Sequence, residues 1–132
     1  MENLEEKLIE LALKAKEKAY VPYSKFRVGA ALLTESGEIF TGCNVENASY
    51  GLTNCAERTA VFKAVSEGHT RFKAIAVVAD SKQYVSPCGA CRQVLAEFGQ
   101  DIQVIIGDAA GNFFSKTVSD LLPFTFTNKQ MD

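Results

Sequence analysis

The chain has 132 residues, 47% hydrophobic and 23% charged, with a formal net charge of −2. That length and balance predict one globular domain spanning residues 1–132. Mild acidity argues against general affinity for phosphate backbones, and no apolar run approaches the roughly 18–20 residues that cross a membrane. The start, Met1-Glu2-Asn3-Leu4-Glu5-Glu6, is acidic and lacks the basic stretch and apolar core of a secretion signal, so a cytoplasmic location is expected.

Asn3 to Ala19 reads as an amphipathic helix, with Leu4, Leu8, Leu11, Ala12, Ala15 and Ala19 on the inner face. Asn3 and Glu6 resemble a capping box, and Pro22 closes the segment. Arg27–Leu33 and Glu38–Cys43, joined through Ser36-Gly37, predict an antiparallel hairpin. A polar loop over Asn44–Asn54 leads to a helix from about Cys55 to Ser66, which Gly68 ends. Lys73–Asp80 is a continuous apolar run, the pattern of a strand covered on both faces. A helix over Gly89–Phe98 follows Pro87, then strands at Ile102–Ile106 and Phe113–Lys116 and a brief helix over Val118–Leu122.

This order predicts an α/β fold, a three-layer α-β-α sandwich with helices on both faces of a mixed five-stranded sheet. About six turn residues between Ile106 and Phe113 leave no room for a crossover helix, so the last two strands must be antiparallel.

Cysteine usage carries the chemistry. In a cytoplasmic chain, four cysteines point to metal or catalysis more than to disulfides. Cys55, Cys88 and Cys91 sit at two predicted helix N-termini, and three thiolates make an open, catalytic kind of zinc site, whereas a structural one takes four protein ligands. Glu57, two residues from the first cysteine, is the candidate to move a water's protons. Two helix N-termini and Arg58 would offset the thiolate charge. A redox role for the Cys88/Cys91 pair would leave Cys55 and Glu57 without a purpose. Cys43 is expected to be a small buried hydrophobe and His69 an exposed loop residue. Either could in principle be a fourth ligand, which would make the chain a non-enzymatic zinc module.

Cys55-Ala56-Glu57-Arg58 followed by Ser86-Pro87-Cys88-Gly89-Ala90-Cys91-Arg92 resembles the cytidine deaminases, specifically their small homotetrameric all-cysteine class. Pro22–Ala30, Gly42–Ala48 and Leu121-Leu122-Pro123 are also similar to that family, so nearly the whole chain is covered. The resemblance implies the cytidine deaminase-like fold and deamination of cytidine and 2′-deoxycytidine to the uridines with release of ammonia, a pyrimidine salvage step. It implies one zinc per subunit on Cys55, Cys88 and Cys91, with a zinc-activated water attacking C4 and Glu57 shuttling protons. By the same resemblance Phe26 packs near the pyrimidine, and Asn44 and Glu46 bind the ribose 3′-hydroxyl. The Ala56 N–H and the Ser86 carbonyl read the base. Tyr50 and Phe126 (with Phe124 the fallback) reach a neighbouring subunit's site, which makes the expected assembly a homotetramer with shared active sites. Arg58 matches the family arginine that compensates thiolate charge.

Two enzymatic alternatives share this motif set. A polynucleotide-editing deaminase is disfavoured by the lack of a basic stripe and by the short connection between the last two strands, which in editing families are parallel by resemblance. A blasticidin-S-type antibiotic deaminase is disfavoured by Cys-Ala-Glu-Arg together with the Asn44/Glu46 pair.

Overall fold

The computed structural model describes residues 3–127. Its elements in chain order are α1 (Leu4–Lys16), β1 (Val28–Thr34), β2 (Ile39–Cys43), a 3-10 turn at Tyr50–Leu52, α2 (Ala56–Ser66), β3 (Phe72–Ala79), α3 (Gly89–Phe98), β4 (Gln103–Gly107), β5 (Phe113–Thr117) and α4 (Val118–Leu121). The expected elements are all present, with ends displaced by a residue or a few. The 3-10 turn was not foreseen.

The strands form one sheet in the order β2-β1-β3-β4-β5. β1 pairs antiparallel with both β2 and β3, and β3 runs parallel to β4. The parallel pair is possible because α3 supplies the crossover, while the short turn after Gly107 returns β5 antiparallel to β4, as expected. Ala30, Leu32, Ile75, Val77, Val104 and Ile106 face α2 and α3 in one core. Ala31, Leu33, Ala74, Ala76, Val78 and Ile105 face α1 in the other. Both faces are covered, so β1 and β3 read as unbroken apolar runs rather than alternating ones.

Glycine lets two helices come unusually close to the sheet. A Cβ on Gly29 would stand 2.0 Å from the Ala12 carbonyl of α1. On Gly42 it would stand 2.5 Å from the Ala56 carbonyl and 2.6 Å from the Ala60 nitrogen of α2. Gly37, at φ +96°, makes the β1–β2 turn.

Helix α1 departs from expectation at both ends of its inner face. The Asn3 side chain accepts the Glu6 N–H at 2.8 Å, as its capping role requires. Leu4, however, is exposed, and the buried residues are Leu8, Ile9, Ala12 and Lys16. The helix stops at Lys16, after which Glu17, Lys18 and Ala19 donate to carbonyls three residues back, a tighter 3-10 ending. Lys16 is drawn inward by Asp80, at the end of β3, with Nζ and Oδ1 2.6 Å apart. Arg27 Nε binds the other Asp80 oxygen at 2.7 Å, and Arg27 Nη1 reaches Glu17 at 2.7 Å.

Arg27 and then Lys16 hold the Asp80 carboxyl down at about 2. A carboxylate lowered in the folded state adds stability that is complete above its unfolded value, about 3.9, and is lost as pH falls through the folded value. The thermal midpoint should therefore decline between about pH 4 and pH 2. In Asp80→Asn that decline should be shallower, and parallel curves for the two proteins would remove Asp80 as its source.

Candidate metal centre and active site

Cys55 and Cys88 are the N-cap residues of α2 and α3, both extended, and neither makes a side-chain cap bond. A thiol in place of the usual hydroxyl or carboxylate leaves the first-turn N–H groups and the positive helix end directed at the sulfurs. Cys91, one turn into α3, is buried beneath them. The three Sγ atoms lie within 4.8 Å of one another, with Cys55–Cys88 at 3.8 Å and Cys88–Cys91 at 3.4 Å. Disulfide sulfurs would be about 2 Å apart. Tetrahedral zinc with Zn–S of about 2.3 Å needs sulfurs about 3.8 Å apart, so the donor set fits that ion. Among the described residues the cluster contains these three ligand groups and no fourth. Cys43 lines a separate groove with Leu11, Lys14 and Thr59. His69 is half-buried rather than exposed, 2.7 Å from Glu38 and packed at a tilt against Phe40.

Arg58 Nη2 donates to Cys55 Sγ at 3.1 Å and reaches the Thr53 carbonyl at 3.5 Å. The neighbouring Cys91 thiol and then the Arg58 guanidinium hold Cys55 down at about 5. The same pairing with Cys55, added to burial, pushes Cys91 up. Glu57 is only 4% exposed. Burial, with the Cys55 thiolate adding to it, raises its carboxyl above the usual range.

A cavity of about 180 Å³ opens beside the cluster, lined by Val28, Asn44, Thr53, Cys55, Ala56, Glu57, Val77, Val85, Ser86 and Cys88. Its rim is assembled from three loop segments. Val45 exchanges two 2.9 Å backbone bonds with Asn54, while Tyr20 and Glu46 bond on its other side. Asn54 Nδ2 donates to Thr59 Oγ1 at 3.0 Å, and that hydroxyl donates to the Cys55 carbonyl at 3.1 Å. The edge of β2 is thereby stitched to the start of α2.

A family model described as the cytidine and deoxycytidylate deaminase zinc-binding region matches residues 2–107. The chain belongs to this deaminase family.

It is thus an enzyme of the hydrolase class. A cytidine deaminase from Halalkalibacterium halodurans is 59% identical over 126 residues, covering 95% of this chain and 96% of the relative. The crystal structure of cytidine deaminase from Burkholderia pseudomallei superposes with a TM-score of 0.88 at 53% identity, covering 91% of this chain and 97% of that one. A blasticidin-S deaminase from Bacillus cereus is more distant, at 33% identity over 135 residues, covering 95% of this chain and 96% of that protein.

The positions matched to the family by motif fall into two groups. Asn44, Cys55, Ala56, Glu57, Ser86 and Cys88 line the cavity, whereas Phe26, Glu46, Tyr50, Arg58, Cys91 and Phe126 do not. Asn44 Oδ1 accepts the Val28 N–H and Nδ2 donates to the Phe26 carbonyl, each at 2.9 Å, leaving one amide hydrogen and one lone pair. The buried Glu46 holds the 23–26 loop. One carboxylate oxygen accepts the Tyr23 and Ser24 N–H groups at 3.1 Å, and the other accepts the Ser24 hydroxyl. The Ser24 hydroxyl first, and these N–H groups, hold Glu46 below the ordinary carboxylate range. Ser24 Oγ also accepts the Phe26 N–H at 3.0 Å. Tyr50 and Phe126 project outward, 71% and 60% exposed.

Thr53, Val28, Val77 and Val85 were not foreseen as cavity residues. Gly51–Asn54 had no assigned role, yet Thr53 lines the cavity and its Oγ1 accepts the Asn47 N–H at 3.1 Å. A polar residue two positions before Cys55 was the available signal, and the polar composition of the whole loop masked it.

Proposed function

We propose that the chain hydrolyses cytidine and 2′-deoxycytidine to uridine and 2′-deoxyuridine with release of ammonia. The observation that carries this reading is the convergence of three thiols at two helix N-termini, two of them, Cys55 and Cys88, sharing one cavity with the buried Glu57. Overall, one water is consumed, a C4–O bond forms, and the bond from C4 to the exocyclic nitrogen breaks. Zinc, one per subunit on Cys55, Cys88 and Cys91, supplies the Lewis acidity that makes water nucleophilic near neutral pH.

Glu57 accepts a proton from the attacking water, delivers one to the ring nitrogen and later protonates the departing amine. Its burial suits a group that must both take and give a proton. Arg58 and the helix ends draw off thiolate charge. The Ala56 N–H and the Ser86 carbonyl orient the base. Asn44, through its remaining amide hydrogen and lone pair, and Glu46 take the ribose 3′-hydroxyl, with Phe26 against the pyrimidine.

The exposed Tyr50, Leu52, Phe124 and Phe126 support assembly into a homotetramer in which Tyr50 and Phe126 complete neighbouring sites. A cytoplasmic, single-domain enzyme of pyrimidine salvage is consistent with all of this, and among the described residues no helix is long and apolar enough to cross a membrane.

The test is ammonia release from purified protein offered cytidine, 2′-deoxycytidine, single-stranded DNA oligonucleotides and blasticidin S in parallel. Turnover of both nucleosides, with neither oligonucleotide nor antibiotic consumed, is expected. Turnover of blasticidin S alone would move the chain to the antibiotic-deaminase group. A zinc-loaded protein inert to every substrate would leave a structural zinc module.

A further inference from the structure

Arg92 was part of the cysteine motif but had no function in it. It sits in the second turn of α3, and side chains on a helix lean back towards its N-terminus. Its guanidinium therefore lies over the loop that enters the helix. Nε donates to the Pro87 carbonyl at 2.8 Å and Nη2 to Ser86 Oγ at 2.8 Å. Nη1 turns the other way and donates to the Leu121 carbonyl, at the end of α4, at 2.7 Å. The adjacent Gln93 Nε2 donates to the Phe126 carbonyl at 2.9 Å.

We infer that Arg92 is a positioning residue that locks the Val85–Cys88 wall of the cavity to the aromatic segment after α4. Val85, Ser86 and Cys88 face the cavity, and none of them lies in a regular element. Arg92 fixes two consecutive residues of that wall, and the same planar group holds the start of the Leu121–Phe126 segment. Gln93 holds its far end. Three divergent acceptors at hydrogen-bonding distance need a fork of N–H donors, which a lysine ammonium cannot span. The cavity wall and the segment bearing Phe124 and Phe126 therefore move as one piece.

The experiment compares zinc-loaded full-length Arg92→Lys and Arg92→Ala with the parent by hydrogen–deuterium exchange and steady-state kinetics. The amides of Val85, Ser86 and Cys88, and those of residues 121–126 other than Pro123, should exchange at least tenfold faster in both variants, while those of β3 and β4 stay protected. The kinetic arm rests on the nucleoside reading above: KM for cytidine should rise at least fivefold with kcat within twofold, and lysine should not rescue it. Faster exchange throughout the chain, or in only one of the two segments, overturns the inference, as does parent-like behaviour of Arg92→Lys. A KM within twofold of the parent overturns its part in substrate binding. If the parent itself fails to turn over cytidine, the nucleoside reading falls and the exchange data still decide the role of Arg92. If neither variant folds, Ser86→Ala, which removes one acceptor, should loosen residues 85–88 alone, and unchanged exchange there overturns the inference.

Discussion

Replacing Glu57 by Gln should leave the protein folded and zinc-loaded while reducing turnover of cytidine by about a thousandfold, within the range that a positioned acid–base group supplies. Gln preserves the volume and the polar end of a side chain that is almost wholly buried, and it leaves all three thiols in place. What it loses is the capacity to accept a proton. The effect should fall on kcat, since proton transfer belongs to the reaction and not to nucleoside binding. Zinc content by atomic absorption, melting temperature and kcat together decide the matter. A variant with parent-like zinc, parent-like stability and more than a tenth of the parent's kcat would remove Glu57 from proton transfer. Loss of zinc would instead make it a structural support of the cluster.

The second large effect is expected from a position with no side chain at all. Gly42→Ala places a methyl 2.5 Å from one backbone atom of α2 and 2.6 Å from another, and backbone cannot swing aside as a side chain does. The helix must lift from β2, and the first turn of α2 carries Ala56, Glu57 and Arg58, with Cys55 as its N-cap. Overpacking of this kind costs about 1–3 kcal/mol, which for a domain of this size lowers the melting midpoint by about 5–10 °C. Because Cys55, a proposed zinc ligand, caps the displaced turn, the affinity for zinc in chelator competition should fall as well. Gly51→Ala is the control, since its added methyl meets nothing within 4 Å and should be close to neutral. Equal melting points and zinc affinity for Gly42→Ala and the parent would show that α2 is free to adjust.

The fold was largely legible because its elements are bounded by strong punctuation. Gly37 and Gly68 fall just after segment ends and Pro87 just before α3, although α1 stops well short of Pro22, and the short turn before Phe113 dictated an antiparallel pair on length alone. The clustering of the three thiols beside Glu57 was legible for a similar reason: thiols and a carboxylate at two helix starts have few other uses. What escaped depended on partners distant in sequence. Lys16 looked like a solvent-facing residue until Asp80, 64 positions on, drew it under the helix end. Glu46 and Arg92 are polar residues whose acceptors and donors are mainly backbone groups of other loops, and a sequence does not display which backbone groups lack partners. Thr53 escaped because its use depends on where the 3-10 turn places it.

The position of β3 has a consequence for how the molecule is made. Cys55 precedes this strand, Cys88 and Cys91 follow it, and β3 itself lies between β1 and β4 in the middle of the sheet. The thiol cluster is therefore closed across the central strand, by segments 33 residues apart. During synthesis β1 and β2 can pair as soon as they emerge, whereas the cluster cannot form until β3 is seated and α3 has followed it. Such non-local pairing is the slow part of folding. A metal ion held by all three thiols is accordingly expected late in the life of the nascent chain, once the sheet's centre is in place.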